Sequence, residues 1–220
     1  MRSVHPPSSS QPLDRERWKA LCHRFRCAAC DDHFLVLEAA YSQRHRHYHT
    51  ATHMLECLDL LDRVGDTAVR RDEVELAIWL HDVVYVPWRD DNEERSAEVA
   101  DRWLRACDDA EAVGERVRGL ILATRHVEPP ASHDEALLQD VDLGVLGAAP
   151  ERYDEYEAQI RREYGRVPSA VFRSRRAKIL RSFLERRSVY STAWFLEHRE
   201  AAARSNLQRA LERLHGSRRV

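Results

Sequence analysis

The segment from Val74 to Asp82, Val-Glu-Leu-Ala-Ile-Trp-Leu-His-Asp, predicts a buried helix that ends in two ionisable residues. A helix repeats every 3.6 residues, so one face of this segment carries Val74, Ala77, Ile78 and His81. His81 therefore continues an apolar stripe that faces a core, and Asp82 follows it directly. Burying such a polar pair is costly unless an interior partner satisfies it, and a metal ion is a common partner.

The chain of 220 residues is long enough for one sizeable core, and its composition favours helices. It contains only 7 glycines, 33% of its residues are charged, and no segment shows strong strand alternation. We therefore predict a single all-α domain over residues 13–215, a bundle of roughly eight to ten helices, between disordered tails at 1–12 and 216–220. The helical patterns cover 14–40 (as one piece or two), 48–64, 72–84, 92–107, 110–126, 133–147, 151–164, 169–187 and 193–214.

Charge and hydropathy argue against several classes of partner. The formal net charge is −2, which gives no general attraction to nucleic acid or to anionic membranes. No stretch approaches the roughly 20 apolar residues that cross a bilayer, and the Ser/Pro-rich residues 1–12 lack the apolar core of a secretory signal. We therefore expect a cytoplasmic protein with no membrane or nucleic-acid partner, while the oligomeric state stays open.

The five cysteines are odd in number and irregular in spacing, which argues against a disulfide framework. Cys22, Cys27 and Cys30, with His23 and His33 nearby, are candidates for a small zinc site, but no second ligand pair follows at zinc-finger spacing. Cysteine is also a good small core residue, so packing is the favoured interpretation of this cluster.

Two further segments place ionisable side chains on apolar helix faces. His49 and His53 stand one turn apart in Tyr-His-Thr-Ala-Thr-His, so their imidazoles can share an ion or a substrate. The alternative for this pair is an exposed, histidine-rich first turn. Within 137–146 two aspartates compete: Asp142 lies on the apolar face, whereas Asp140 points away and is expected to be solvated or to act behind the ligands. A buried Asp142 needs a cation.

A fourth segment, Asp91-Asn-Glu-Glu-Arg-Ser-Ala97, predicts the start of a helix. Asp91 and Glu94 have the spacing of a capping box, which explains these two residues structurally. Glu93 instead lines up with the apolar positions of the helix, so it is a candidate base or a residue that supports a metal ligand. Asn92, beside it, is a candidate substrate-binding residue.

Three of these four segments bring two imidazoles and two carboxylates to one core: His53, His81, Asp82 and Asp142. This donor set suits a divalent Mn, Mg, Fe, Co or Zn ion without choosing among them. The ordered motifs resemble the HD-domain superfamily of metal-dependent phosphohydrolases, and in particular a bacterial group of predicted HD phosphohydrolases whose substrate is unassigned. The resemblance covers about residues 14–215 and rests on Arg46–His53, Leu80–Asp82 with Tyr85 and Pro87, Asp91–Ala97 and Asp140–Gly147.

The resemblance implies an HD-type helical bundle in which His53, His81, Asp82 and Asp142 bind metal. Cyclic-nucleotide phosphodiesterases share this helical core, and similarity to their Tyr-His…His segment makes His49 a candidate proton donor to the leaving oxygen. Related HD enzymes place a histidine near Thr124-Arg-His126, so His126 is a candidate for a second metal or for substrate. Helical phase argues against His126, because the apolar face of its segment points elsewhere, although a frayed helix end would bring it to the site.

Two arginines on apolar helix faces, Arg176 and Arg204, are candidate phosphate ligands. The alternative for each is an internal salt bridge to a glutamate such as Glu157 or Glu163. The remaining basic run is expected to be a solvated face, since no aromatic residues interleave it: Arg173, Arg175, Arg181, Arg186 and Arg187.

The predicted activity is metal-assisted hydrolysis of a phosphate ester or anhydride in a nucleotide or another small phosphorylated metabolite. Asp82 and Glu93 hold or deprotonate the attacking water, His49 protonates the leaving oxygen, and Arg176 or Arg204 offsets the phosphoryl charge. Two alternatives stay open. One is a catalytically silent binding module whose fold is stabilised by the metal. The other is a diiron oxygenase on the same helical core, and such a site needs more ligands than we can place.

Overall fold

The computed structural model describes residues 12–105, 107 and 110–216, and these residues form helices and turns with no β-strand. The predicted all-α class is confirmed. The described α-helices are α1 Arg15–Arg24, α2 Cys30–Tyr41, α3 Ala51–Val64, α4 Arg71–Leu80, α5 Asn92–Leu104, α6 Ala110–Ala123, α7 His133–Asp142, α8 Pro150–Glu163, α9 Ser169–Glu185, α10 Ala193–His198 and α11 Glu200–Gly216. Short 3-10 segments, Gly65–Thr67 and Leu143–Gly147, follow α3 and α7. Within the described ranges, no helix has both the length and the apolar character that crossing a bilayer demands.

The helices outnumber the prediction slightly because two predicted stretches are each broken. The stretch 14–40 divides into α1 and α2, between which Arg26 adopts a left-handed φ of 53°. The stretch 193–214 divides at Arg199 into α10 and α11. The predicted tails fall on residues 1–11 and 217–220, which lie outside the described residues, while Gly216 is the last residue of α11.

Helix α4 lies at the centre of the packing. It contacts α1, α3, α5, α6 and α7, and every side chain from Glu73 to Leu80 is buried. Trp79 of α4 meets Trp18 of α1 edge-on, with ring centroids 5.3 Å apart. Burial of each ring stabilises the fold by roughly 2–3 kcal/mol. The end of α4 therefore delivers His81 and Asp82 into the interior.

The second half of the chain packs around the 3-10 segment Leu143–Gly147. Helices α8 and α11 both contact this segment, and α9 packs against α11. Gly147 permits a close approach, because a Cβ at this position would lie 2.7 Å from the carbonyl oxygen of Arg199. Helix α7, which ends in Asp142 just before this segment, contacts α3 and α4. The packing thus brings the end of α7 toward the helices that carry the other predicted ligands.

A disulfide joins Cys27, in the loop after α1, to Cys107, which follows α5. The expectation of no disulfide is therefore wrong for this pair. The two cysteines are 80 positions apart, so their spacing carries no signal; they meet where Trp18 of α1 contacts Trp103 of α5. The bond also removes Cys27 from the candidate zinc cluster, whose other two cysteines are free thiols.

Candidate metal centre and adjoining cavity

Two buried histidines face each other in the interior, one from α3 and one at the end of α4. His53 and His81 are 2% and 3% exposed, and their Nε2 atoms lie 3.3 Å apart. His53 lies among the buried residues of α3, and His81 ends α4 with its backbone N–H donating to Ala77. The inward orientation that helical phase predicts for His81 is confirmed.

Two carboxylates complete the cluster. Asp82 Oδ2 lies 3.1 Å from His81 Nε2 and 3.8 Å from His53 Nε2. Asp142 Oδ1 lies 3.0 Å from His53 Nε2 and 3.5 Å from His81 Nε2. Neighbouring ligands of one cation, at bond lengths of about 2.1 Å, are about 3.0–3.4 Å apart in octahedral or tetrahedral geometry. The separation between the two histidines and those from each histidine to each carboxylate are 3.0–3.8 Å, at or slightly above this range, so the cluster can hold a metal ion.

Hydrogen bonding leaves lone pairs at the centre of this cluster. His81 Nδ1 lies 2.9 Å from the carbonyl oxygen of Ile78, to which it donates, so a neutral His81 presents the lone pair of Nε2 to the cluster. Asp82 Oδ2 is buried and accepts no hydrogen bond from the described residues. Lone pairs that face one another in a buried space require a cation between them.

The carboxylates favour positive charge at this point. Burial disfavours a charged imidazole, but Asp82 and Asp142 outweigh it and raise the pKa of His81 well above its usual value. Burial also disfavours the charged carboxylates, yet the nearby histidines lower the pKa of Asp142 and of Asp82. A proton on His81 or a metal ion can supply the missing charge, and the two compete for the same lone pair.

Cys57 is an additional ligand candidate that sequence reasoning missed. It lies one turn after His53 on α3 and forms, with His53 and Asp142, a second group that can hold a metal ion. The first such group is His53 with His81 and Asp82. Burial, and then the charge of Asp142, raises the pKa of the Cys57 thiol well above its usual value, so this side chain stays protonated until an ion displaces the proton. Cys57 follows His53 by four residues, and this spacing on one helix face was the sequence signal that could have identified it.

His126 reaches the cluster although helical phase argues against it. Helix α6 ends at Ala123, and His126 follows it in a left-handed conformation with a φ of 55°. Its Nε2 lies 2.7 Å from Asp142 Oδ2, to which it donates, and its Nδ1 is buried with no hydrogen-bond partner among the described residues. His126 therefore orients a ligand, while its role as a second metal ligand or a substrate contact stays a prediction.

A buried glutamate that the sequence did not identify as a site residue holds His49 in place. Glu163 Oε2 lies 2.8 Å from His49 Nδ1 and accepts the Tyr85 hydroxyl at 2.7 Å, while Oε1 accepts the backbone N–H groups of residues 47–49. Burial opposes its ionisation, but the charge of His49 and these bonds lower the pKa of Glu163 to about 2. His49 thus lines the cavity with Nδ1 fixed. Glu163 and His49 are 114 positions apart, so no local pattern connects them.

A cavity of about 760 Å³ opens beside the cluster, large enough for a small organic ligand. Eight of the predicted site residues line it, and two do not: His53 lies behind the wall, and Arg204 lies elsewhere. The predicted residues that line it are His49, His81, Asp82, Asn92, Glu93, His126, Asp142 and Arg176. The structure therefore brings the candidate ligands and the candidate catalytic residues to one space.

Glu93 and Asn92 reach the cavity from the first turn of α5. Glu93 is half-buried, no described residue forms an ion pair with it, and burial raises the pKa of its carboxyl group. Asn92 has a structural task, since its amide accepts the backbone N–H of Val86 at 3.0 Å and donates to the Val86 carbonyl at 3.1 Å. Glu93 is therefore available for chemistry, whereas the polar atoms of Asn92 are engaged.

Two expectations about acidic side chains are wrong. No capping box forms, because Asp91 binds Arg95 at 2.8 Å and Glu94 binds an arginine that follows α6. Asp140 is not solvated: it is 1% exposed and accepts hydrogen bonds from the backbone N–H and the hydroxyl of Thr192. Glu94 and Asp140 each bind a partner distant in the chain, which local spacing does not reveal, whereas Asp91 binds an arginine one turn away.

Of the two predicted phosphate-binding arginines, only Arg176 lines the cavity, and its charge is already paired. Its guanidinium donates to Glu157 at 2.5 Å and to the Tyr156 hydroxyl at 2.8 Å. Arg204 lies outside the cavity, where it binds Glu200 at 2.7 Å and three backbone carbonyl oxygens. For each of them the structure contains the internal salt bridge that was the alternative.

Two arginines expected on a solvated face line the cavity instead, Arg175 and Arg186. Arg186 donates to the carbonyl oxygen of His126 at 2.8 Å, and burial lowers the pKa of its guanidinium. Neither arginine pairs with a carboxylate of any residue that the structure describes. Unpaired cations beside a candidate metal centre favour an anionic ligand. In the sequence, Arg175, Ile179, Phe183 and Arg186 follow one another at intervals of three or four residues. This spacing places them on one helix face and was the available sign that both arginines face the cavity.

Comparisons of the chain with protein-family models, with curated proteins and with solved structures found no match. The resemblance to HD-domain proteins therefore rests on the sequence motifs alone. The fold and the site define a class, an all-helical protein with a buried His/Asp/Cys cluster that can hold a metal ion.

Proposed function

We propose that this protein is a metal-dependent phosphohydrolase of the HD superfamily, acting on a small phosphate ester or anhydride. The observation that carries the proposal is the convergence of two histidines and two carboxylates beside a ligand-sized cavity, where each histidine lies 3.0–3.8 Å from the other histidine and from both carboxylates. The same cavity is lined by His49, Glu93 and Arg186. Among the described residues, Glu93 and Arg186 form no ion pair, and His49 pairs with Glu163 through Nδ1 rather than Nε2. Metal-assisted phosphoryl hydrolysis needs this combination of groups.

The ligands suit a divalent Mn, Mg, Fe, Co or Zn ion, held by His53, His81, Asp82 and Asp142. Such an ion supplies Lewis acidity, which polarises a phosphoryl oxygen and makes water more acidic. The chain orients the ligands in advance: Ile78 accepts a hydrogen bond from His81 Nδ1, and His126 donates one to Asp142 Oδ2. Such outer contacts fix the direction of each lone pair.

His49 and Glu93 provide the acid and the base of the proposed reaction. Burial opposes protonation of His49, but Asp82 and Glu163 raise its pKa, so the imidazole can hold a proton and donate it to the leaving oxygen. Burial raises the pKa of Glu93, so this carboxylate is a stronger base than an exposed one and accepts a proton from the attacking water. Asp82 helps to position that water.

Arg186 and Tyr48 bind the phosphoryl oxygens in the proposed complex. Arg186 uses one N–H group on His126 and keeps others for a ligand. The hydroxyl of Tyr48 is buried at the cavity wall without a partner among the described residues, so it is available to donate to a ligand oxygen. A cation and a neutral donor together would stabilise the charge that develops on the phosphoryl group.

Elemental analysis combined with a turnover assay tests the proposal. The double variant His81→Ala/Asp82→Ala is expected to lose both bound metal and hydrolysis of a panel of phosphate esters and nucleotides. The matched variant Asp32→Ala/His33→Ala removes the same residue types outside the cluster and is expected to keep both. Bound metal without metal-dependent turnover across the panel indicates a silent binding module. Two irons per chain with an oxygen-consuming reaction indicate a diiron oxygenase, and either result overturns the proposal.

A further inference from the structure

One wall of the cavity, formed by α9, is largely apolar. Phe172, Ile179 and Phe183 lie on one face of this helix and line the cavity. Ile179 is 46% exposed, and Trp88, which also lines the cavity, is 66% exposed. Apolar surface left open inside a ligand-sized cavity favours a ligand with an apolar part.

The one amide and two aliphatic hydroxyls that line the cavity are engaged with the protein itself. Asn92 is the only amide side chain that lines the cavity within the described residues, and both of its polar atoms bond to Val86. The hydroxyls of Thr124 and Ser182 each donate to the carbonyl oxygen three residues earlier. A nucleobase edge placed here would lose its hydrogen bonds to water and find no amide to replace them.

Arg186, the cation proposed to bind the phosphoryl group, lies at one end of the apolar wall. Arg186 follows Phe183 by three residues and donates to His126, which in turn binds Asp142 of the metal cluster. Arg175 lies about 16 Å from Arg186 along the axis of α9, so one phosphoryl group contacts only one of the two arginines. A phosphoryl group held at the Arg186 end therefore directs its organic group along α9, past Phe183.

We infer that the substrate is a phosphate monoester whose organic part is an aromatic or aliphatic group rather than a nucleoside, packed against Ile179 and Phe183. The inference rests on the proposed phosphohydrolase function and narrows its substrate class. In the reaction, water forms the new bond to phosphorus and the bond from phosphorus to the ester oxygen breaks. The ester oxygen takes its proton from His49, so the products are inorganic phosphate and an alcohol or a phenol.

Two phosphonates that differ only in their organic group test the inference without turnover. Phenylphosphonate and methylphosphonate carry the same anionic group and resist hydrolysis, so calorimetric titration of the metal-loaded protein compares the organic groups alone. We expect phenylphosphonate to bind at least about tenfold more tightly, and Ile179→Ser to reduce this preference by about fivefold. Val171→Ser is the matched control, because Val171 is 42% exposed on the same helix but does not line the cavity. It is expected to leave the preference unchanged.

Equal affinity for the two phosphonates, or an unchanged preference in Ile179→Ser, would overturn the inference. Turnover gives a second measure, since kcat/KM for phenyl phosphate is expected to exceed that for nucleoside 5′-monophosphates by at least about tenfold. Metal-dependent turnover that favours nucleotides would refute the inference and leave the proposed function intact. Absence of turnover on every ester would refute the proposed function, and the phosphonate titration would still decide whether the apolar wall binds ligand.

Discussion

The two ends of α4 both bury acidic side chains, but only one end pairs them with arginine. Near the start of the helix, Glu75 accepts a hydrogen bond from Arg17 at 2.7 Å, and Glu73 accepts one from Arg116 at 2.6 Å. After the last turn, Asp82 faces imidazole nitrogens at 3.1 and 3.8 Å, and its Oδ2 accepts no hydrogen bond from any residue that the structure describes. The same helix therefore carries completed ion pairs at one end and an incomplete set of ligands at the other.

This difference distinguishes a structural ion pair from a ligand site. A guanidinium is permanently charged and donates in a plane, so it satisfies a buried carboxylate without further partners. An imidazole whose Nδ1–H is bonded elsewhere, as in His81, offers only the lone pair of Nε2 once that atom has lost its proton. Because an uncompensated buried charge costs several kcal/mol, the far end of α4 requires a proton or a metal ion.

Removing one carboxylate from each end of α4 is expected to give the largest effect. Asp82→Ala deletes a proposed metal ligand and is expected to lower metal affinity by at least about 100-fold, measured by competition with a chelator. Glu75→Ala leaves metal affinity within about twofold and lowers the free energy of unfolding by roughly 3 kcal/mol, measured by urea denaturation, because Arg17 loses its buried partner. Equal losses of metal affinity in both variants would contradict the distinction between the two ends.

A smaller effect is expected from Glu163→Gln, which leaves the metal ligands intact. The amide replaces one acceptor oxygen by an NH2 donor, so it cannot accept both from His49 and Tyr85 and from the backbone N–H groups of residues 47–49, and kcat is expected to fall by about 10–100-fold with unchanged metal content. Loss of the Glu163 charge also lowers the pKa of His49. In the variant, His49 therefore loses its proton at a lower pH as the pH is raised. The alkaline limb of the pH–kcat profile, where activity is lost with that proton, shifts toward acid.

The control for this prediction is Glu157→Gln on the same helix, which removes the partner of Arg176 instead. It is expected to leave the alkaline limb where it is in the natural protein. An alkaline limb that stays in place in Glu163→Gln would show that Glu163 only supports the fold around His49.

The smallest expected effect is the pH dependence of metal binding. The pKa of His81 is raised, so over the range below that value a proton occupies the site that the metal needs. Metal affinity is therefore expected to rise with pH, by up to about tenfold per unit, in calorimetric titrations between pH 6 and pH 8. A flat profile over this range would show that His81 releases no proton when the metal binds.

Helical phase predicted the inward orientation of the candidate metal ligands well, because each lies on a helix or directly at its end. His81 extends the buried stripe of α4 and Asp142 is the last residue of α7, so local periodicity shows which way they face. The same rule failed for His126, because it assumes that α6 continues beyond Ala123. A left-handed residue past the helix end can turn back to a site that phase excludes.

The amino-acid sequence alone determined the helical class and four side chains that converge, since the period of apolar residues records which face of each helix is buried. Only the tertiary structure decided which charges are paired. It joined Arg176 to Glu157, Glu163 to His49 and Cys27 to Cys107, and it left Arg186 facing a cavity. The physical reason is that pairing depends on distances between segments far apart in the chain, and local spacing carries no information about those distances.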